Sequence, residues 1–172
     1  KLVNKKILDG SSLSNDKLYR NDGNGKFKDV TLEAGIRVEG YGLGIGVNDL
    51  NDDGYPDLYI SNDFLFDDIV YINNQDGTFS DRAKEYLGHT SQFGMGIDFQ
   101  DFNNDLKPDV VQLDMMPEDN YRQKKILGPM NFDFFNLSIK EGYTPQYMHN
   151  SLQLNRGASG FSEIAQLSGI NE

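Results

Sequence analysis

Oxygen-bearing side chains fall at fixed intervals in Asp49-Leu50-Asn51-Asp52-Asp53-Gly54-Tyr55-Pro56-Asp57, with Asp49, Asn51, Asp53 and Asp57 at positions 1, 3, 5 and 9 and glycine at position 6. This is the composition of a loop wrapped round a hard cation. Calcium takes six to eight oxygens at about 2.3–2.6 Å, alternate side chains turn inward, and the chain bends sharply at the glycine. The carbonyl of residue 7, Tyr55, completes the ring. Carboxylates so close together repel in an empty loop, and a cation offsets that repulsion.

The pattern returns in Asp101-Phe102-Asn103-Asn104-Asp105-Leu106-Lys107-Pro108-Asp109, where Asp101, Asn103, Asp105 and Asp109 hold the same four positions and Lys107 offers its carbonyl at the seventh. Position 6 is now Leu106. If that position requires positive φ, a side chain there costs about 1–2 kcal/mol, so of the two expected Ca²⁺ sites the second is the weaker. The EF-hand loop needs a bidentate carboxylate at position 12 and a helix on each side. Position 12 is Ile60 in one copy and Gln112 in the other, and the flanks are strand-like. A plain Asp/Asn/Gly turn explains one such loop equally well. Two copies with one ligand set at one spacing favour a metal.

Other chemistry is sparse. His89 and His149 are the only histidines; neither lies in an H-x-x-x-H pattern, and both read as ordinary turn or strand residues. Gly42-x-Gly44-x-Gly46 lies within a strand pattern and is not expected to cradle phosphate. Asn136-Leu137-Ser138 fits a glycosylation sequon, which matters only in a eukaryotic secretory setting. No pair of acids stands apart from the two loops as a catalytic dyad, so the chain is expected not to be an enzyme.

The elements that position the loops come from an internal repeat. At an offset of 52 residues, Leu18-Tyr19-Arg20-Asn21 lies over Val70-Tyr71-Ile72-Asn73, Gly42 and Gly44 over Gly94 and Gly96, and Pro56-Asp57 over Pro108-Asp109. A period near 50 marks propeller blades, solenoids or arrays. A partial third copy, Leu152 to Glu163, matches Leu18 to Asp29 at an offset of 134, which leaves 30 extra residues between Asp109 and Ser151. Within one unit, Gly42 to Asp49, Asp57 to Ser61, Asp68 to Asn73 and Thr78 to Asp81 read as strands, the last two joined by the turn Asn74-Gln75-Asp76-Gly77. Four strands per repeat make one propeller blade. The expected fold is therefore all-β, about two and a half four-stranded antiparallel β-propeller blades: residues 13–31 a half blade, 41–83 a blade, and 93–165 a blade carrying a short helical insertion over 117–147. Gln166 to Glu172 reads as the run-in to a further blade.

In the insertion, Pro117 suits a first helical turn, Glu118 and Asp119 its positive end, and Gly128-Pro129 its stop; Asp133 to Glu141, followed by Gly142, reads as a second helix. Tyr121, Phe132, Phe134, Phe135, Tyr143 and Tyr147 crowd this segment, either as its own small core or as an aromatic platform for sugar or protein.

Composition sets the outer bounds. The 172 residues suffice for one core, and 18 glycines with 11 Phe and 9 Tyr favour many short strands. Absence of cysteine removes disulfides and thiolate metal sites. No apolar run reaches membrane-spanning length. A net charge of −11 argues against nucleic acid and anionic membranes as partners. Lys1 to Asp9 lack the apolar core and cleavage site of a signal peptide, and a chain that starts within its pattern is expected to have lost its start. Open strand edges call for a partner, either further blades of the same chain or a second copy.

Phe93-Gly94-Met95-Gly96 followed by Asp101-x-Asn103-x-Asp105-x-x-x-Asp109 resembles the FG-GAP or VCBS-type repeat that builds the propeller of integrin α subunits. Tyr41-Gly42 replaces Phe-Gly in the first copy and no Gly-Ala-Pro follows either loop, so the resemblance is not to integrins proper. Leu18-Tyr19-x-Asn21 to Phe27-x-Asp29, with an insert opening on Asp114-Met115-Met116-Pro117, is more similar to bacterial secreted propellers related to the cartilage acidic protein and ASPIC/UnbV group. The resemblance implies calcium in the hairpin loops, adhesion or binding of a protein or glycan ligand, and an extracellular, cell-surface or periplasmic location. The alternative is the propeller part of a secreted carbohydrate-active enzyme, since propellers also host glycosidases and lyases.

Overall fold

The computed structural model describes residues 5–126 and 132–170. Its strands are β1 (Tyr19–Gly23), β2 (Lys26–Asp29), β3 (Gly42–Asn48), β4 (Asp57–Asn62), β5 (Ile69–Asn73) and β6 (Phe79–Asp81), followed by the single turn α1 (Ala83–Tyr86). Then come β7 (Thr90–Ser91), β8 (Gly94–Gln100), β9 (Asp109–Asp114), the helices α2 (Asn120–Ile126) and α3 (Phe132–Lys140), β10 (Gln146–Tyr147), β11 (Ser151–Asn155), β12 (Phe161–Glu163) and the turn α4 (Ala165–Ser168). Strands β3-β4-β5-β6 form one antiparallel four-stranded sheet, and β8-β9-β11-β12 a second. Strands β1 and β2 form a two-stranded sheet on their own, and the short β7 and β10 pair in parallel. This is the all-β, propeller-like arrangement that the repeat implies.

The two four-stranded sheets share fine detail. Gly42 pairs with Asn62 and Gly44 with Ser61, so Leu43 is bulged; Gly94 pairs with Asp114 and Gly96 with Leu113, so Met95 is bulged at the equivalent place. The strands turn alternate residues to opposite sides, as a two-residue period requires. Ile60, Ile69 and Tyr71 join Val30, Ala34, Ile36 and Val38 in a cluster toward the β1–β2 sheet. Tyr59 and Val70 face the other way, into a cluster with Leu50, Ala83, Tyr86, Leu87 and Val110. The apolar core therefore lies between successive sheets.

Glycine sets how closely the sheets approach. A Cβ on Gly44 would stand 3.2 Å from the Gly96 Cα, and one on Gly46 would stand 1.8 Å from the Phe99 ring. β3 thus lies directly against β8. The Tyr59 ring meets those of Phe99 and Phe161 edge-on, each at a centroid distance of 6.4 Å.

The insertion leaves the second sheet after β9 and returns at β10. Helix α2 begins at Asn120, three residues later than Pro117, because the Asp119 carboxylate accepts the Arg122 N–H at 2.9 Å and so caps the first turn. The expected stop at Gly128-Pro129 lies outside the described residues. Helix α3 runs to Lys140, and Gly142 follows at φ +101. Phe134 and Tyr143 are buried, packed with Leu137 and also with Leu65 and Phe66 of the β4–β5 loop. The insertion's small core is thus shared with the neighbouring sheet. At the far end, Ala165–Ser168 forms a helical turn where the sequence read a run-in to another blade, in the place that Ala83–Tyr86 holds after β6.

Two adjacent buried aspartates fasten these parts. Asp67 accepts from Lys6 Nζ at 2.8 Å, from the Thr144 N–H at 2.9 Å and from Gln146 Nε2 at 3.4 Å, joining the N-terminal segment, the β4–β5 loop and the insertion. Asp68 accepts from the Tyr59 hydroxyl at 2.9 Å, the Asn62 N–H at 3.0 Å and Gln112 Nε2 at 3.0 Å, the last from the second sheet. Burial pushes the Asp68 carboxyl up to about 7, against the pull of these three donors. A carboxyl raised above its unfolded value of about 3.9 holds its proton better in the folded chain, so folding loses stability as pH climbs between those two values. Asp68→Asn removes that loss. Urea unfolding at pH 4.5 and at pH 8 is expected to find the variant more favoured relative to the parent at pH 8. Equal differences at both pH values would refute the assignment.

Candidate metal loops

Residues 49–57 connect β3 to β4 and residues 101–109 connect β8 to β9, so both loops lie at the same ends of their sheets. The β4–β5 loop and the insertion leave from the opposite ends. The sequence-predicted residues come together, and they do so through one hydrogen-bond scheme built twice.

In the first loop the Asp49 carboxylate accepts the Asp53 N–H at 3.1 Å and the Gly54 N–H at 2.7 Å. Asn51 Oδ1 accepts the Asp53 N–H at 3.1 Å, and Asp53 Oδ1 accepts the Tyr55 N–H at 2.9 Å. In the second loop Asp101 accepts from Asp105 at 3.0 Å and Leu106 at 2.9 Å, Asn103 from Asp105 at 2.9 Å, and Asp105 from Lys107 at 3.0 Å. Each successive side chain caps a main-chain N–H further along, which curls the loop inward. Asp53 Oδ2 also accepts from Asn51 Nδ2 at 3.0 Å and Gln75 Nε2 at 3.2 Å. Asp105 Oδ2 has the corresponding asparagine, Asn103, at 3.1 Å. The Tyr55 N–H, then the Asn51 and Gln75 amides, hold the Asp53 carboxyl below the usual range.

Position 6 has positive φ in both loops, +86 at Gly54 and +68 at Leu106. The turn is therefore conserved within the chain despite the leucine, whose side chain stands 94% exposed and gains no burial in return. Position 4 is left-handed as well, at Asp52 (+65) and Asn104 (+59), residue types that tolerate it.

Position 9 has a job that spacing did not reveal. Asp57 is fully buried and takes the Leu50 N–H at 2.9 Å and the Asn73 N–H at 2.8 Å, one on each oxygen. Asp109, also fully buried, takes the Phe102 N–H at 2.9 Å and the Asn155 N–H at 2.8 Å. Each clips the start of its loop to the third strand of its sheet. Desolvation raises the Asp57 carboxyl, opposed by its two main-chain donors and reinforced by the charges of Asp53 and Asp49.

The donor set of each loop is hard oxygen throughout, which fits calcium or magnesium and not a soft metal. A carboxylate offers about four lone-pair positions, and Asp49 and Asp101 use two each within their loops. Among the described residues no group of three or more carboxylates or imidazoles is gathered so as to hold a metal ion.

Sequence reasoning missed one cluster. The His89 ring lies 5.6 Å from that of His149 and 5.1 Å from that of Tyr147, and His89 Nε2 is 3.5 Å from Glu163 Oε2. Desolvation lowers the His89 pKa, with Glu163 opposing and His149 adding to the shift. These residues sit where the insertion returns to the sheet, and sixty positions of sequence separation hide the pairing.

Stacked antiparallel sheets of four strands, each opened by a carboxylate loop after its first strand, define a propeller-type repeat module. The FG-GAP-like repeat family matches the chain twice, over residues 7–60 and 49–111, and the chain belongs to that family. No curated protein matches it.

Two substitutions separate strain from clipping. Leu106→Gly relieves the left-handed side chain and is expected to stabilise by about 1 kcal/mol, less the extra freedom that glycine gives the unfolded chain. Asp57→Ala strands the buried Leu50 N–H and the half-buried Asn73 N–H and is expected to cost about 3 kcal/mol. Urea unfolding in EDTA reads both; a neutral Asp57→Ala would refute the clip.

Proposed function

We propose that the chain is a calcium-stabilised, non-catalytic binding module displayed outside the cytoplasm, at the cell surface, in the medium or in a periplasm, where it takes a protein or glycan ligand. The observation that carries this reading is the doubled loop: one oxygen pattern and one hydrogen-bond scheme, built at equivalent places in two sheets. Asp49, Asn51, Asp53, Asp57 and the Tyr55 carbonyl would hold one ion; Asp101, Asn103, Asp105, Asp109 and the Lys107 carbonyl would hold the other. Calcium here supplies charge compensation and loop closure, not reaction chemistry. The conspicuous acids are engaged with main-chain N–H groups, which leaves them poorly placed as a catalytic pair. The insertion and the β4–β5 loop, at the opposite ends of the sheets, are the natural ligand face, since loops on a rigid scaffold carry binding. The open β1 edge and the exposed face of β3 await further blades or a second copy. The insert opening on Asp114-Met115-Met116-Pro117 supports kinship with secreted propellers of the cartilage acidic protein group.

Thermal unfolding with calcium and with EDTA, together with metal analysis, tests the calcium. Free calcium a hundredfold above Kd adds about 2.7 kcal/mol per site, so two sites are expected to raise the Tm by roughly 10–20 °C. Asp53→Ala removes three hydrogen bonds of the metal-free loop and lowers the EDTA melting point somewhat; the calcium-induced shift measured from that lower baseline is expected to fall by about half. No shift and no bound metal would overturn the proposal. Release of product from a panel of polysaccharides would overturn its non-catalytic part.

A further inference from the structure

Two main-chain hydrogen bonds hold the returning end of the insertion on the linker that carries β7. The Thr90 N–H donates to the Pro145 carbonyl at 3.0 Å, and the Gln92 N–H to the Tyr147 carbonyl at 3.1 Å. The pairing is parallel and two residues long, Gln146 beside Thr90 and Tyr147 beside Ser91. A strand pair this short is marginal on its own, so side-chain packing must support it. The side chains at this place are aromatic and titratable. The His89 ring meets Tyr147 at 5.1 Å and His149 at 5.6 Å, both edge to face. Tyr147 lies parallel to His149 at 6.2 Å, and Phe135 of α3 approaches Tyr147 to 5.9 Å. The His89 carbonyl accepts Gln153 Nε2 at 3.4 Å, which ties His89 to β11. His89 therefore belongs to the second sheet, while Tyr147 and His149 arrive with the insertion.

This contact suits neutral rings. His89 Nε2 is buried and makes no hydrogen bond among the described residues. Once charged, both ring nitrogens carry protons and each wants an acceptor. Two carboxylates face the pair and favour a proton. Glu163 from β12 holds Oε2 3.5 Å from His89 Nε2, and its Oε1 already accepts the Leu152 N–H at 3.3 Å and the Ala165 N–H at 2.6 Å. Asp114, at the end of β9, feels the charge of His149, and its Oδ2 already accepts from the Ser91 hydroxyl and the Gln92 and Phe93 N–H groups. Against them stand burial and the repulsion between two cationic rings. Burial prevails at His89, whose pKa is held below the ordinary histidine value of about 6.5. The docked contact thus binds protons less readily than the released one, and it weakens as the pH falls through and below that value. Fifty-two residues earlier, the other linker carries Arg37 in this place, exposed and always charged. The acid-sensitive group belongs to the linker under the insertion.

We propose that His89 and His149 form an acid-released latch: neutral, they seat Gln146–Tyr147 on the β7 linker, and protonated, they set it free. Release alters the insertion end of the sheets, where the reading above puts the ligand face, yet the latch itself requires neither calcium nor ligand.

The experiment follows the whole chain by NMR at pH 7.5 and at pH 5.0 in calcium-containing buffer. The chain has two histidines, so each ring titration is read separately, and hydrogen exchange gives protection factors for the Thr90 and Gln92 amides. His89 is expected to titrate below 6.5, and both amides to lose at least tenfold in protection at pH 5.0. The amides paired between β4 and β5 are expected to keep theirs. His89→Phe, which retains a flat ring without the charge, is expected to show equal protection at both pH values. His149→Phe leaves Glu163 unopposed by a second cation and is expected to raise the His89 midpoint, with circular dichroism confirming the fold of both variants. Equal protection of the parent at the two pH values, a His89 midpoint at or above 6.5, or an acid loss that survives His89→Phe would overturn the proposal. So would a loss shared by the β4–β5 amides, which would mark global acid unfolding instead of a latch.

Discussion

The approach of β3 to β8 is the constraint on which the rest of this structure depends. Neither four-stranded sheet has a core of its own; the large buried clusters lie between sheets. How much apolar surface leaves water is therefore set by how near the sheets can come. Gly46 makes room for the Phe99 ring, and Phe99 then reaches Tyr59, which also meets Phe161 from the outer edge strand of the second sheet. A side chain at Gly46 would hold the sheets apart along their length and uncover the cluster around Tyr59, Val70 and Val110. Because β4 and β5 are buried on both sides, each contributes alternately to two joints, and one sheet cannot be loosened without disturbing its neighbours.

The two carboxylate loops are coupled to that joint through main-chain contacts. Leu50, second in the first loop, is 1% exposed within the cluster between the sheets, while its N–H is held by Asp57. Its carbonyl accepts Asn155 Nδ2 at 3.0 Å, and the same amide reaches the Pro108 carbonyl at 3.1 Å. Asn155 also gives its own N–H to Asp109. The two loops are thus tied to one another across the joint by a single asparagine. An ion held by either loop would act on the packing of the sheets, and binding there would register first as fold stability.

The opposite face is organised by a buried charge. Asp67 pairs with Lys6 in an environment where their side chains are 0% and 5% exposed, and hydrogen bonds from Thr144 and Gln146 satisfy its remaining capacity. An ion pair this deep is tolerated only with such partners, since each charge gives up its hydration. The consequence is that a segment remote in sequence docks at a defined place: Phe134 and Tyr143 settle on Leu65 and Phe66, and the left-handed φ values at Phe64 (+36) and Leu65 (+69) hold that loop in the shape that receives them.

Much of this was determined by the sequence alone. The 52-residue offset, the two-residue alternation and the Asn/Gly turns depend on local geometry and self-similarity, and they set the number, order and faces of the strands. The first, third and fifth oxygens of each loop were legible for the same reason: their partners lie within five residues. What required the tertiary structure was whatever depends on chain segments far apart. Asp57 and Asp109 have the spacing of ligands, and each also accepts an N–H on either oxygen, one of them delivered by a strand 16 or 46 residues away. His89 and His149 look unrelated until the insertion folds back and sets their rings edge to face. A period in the sequence fixes what each residue is; the neighbour it meets is chosen by which sheet comes to lie against it.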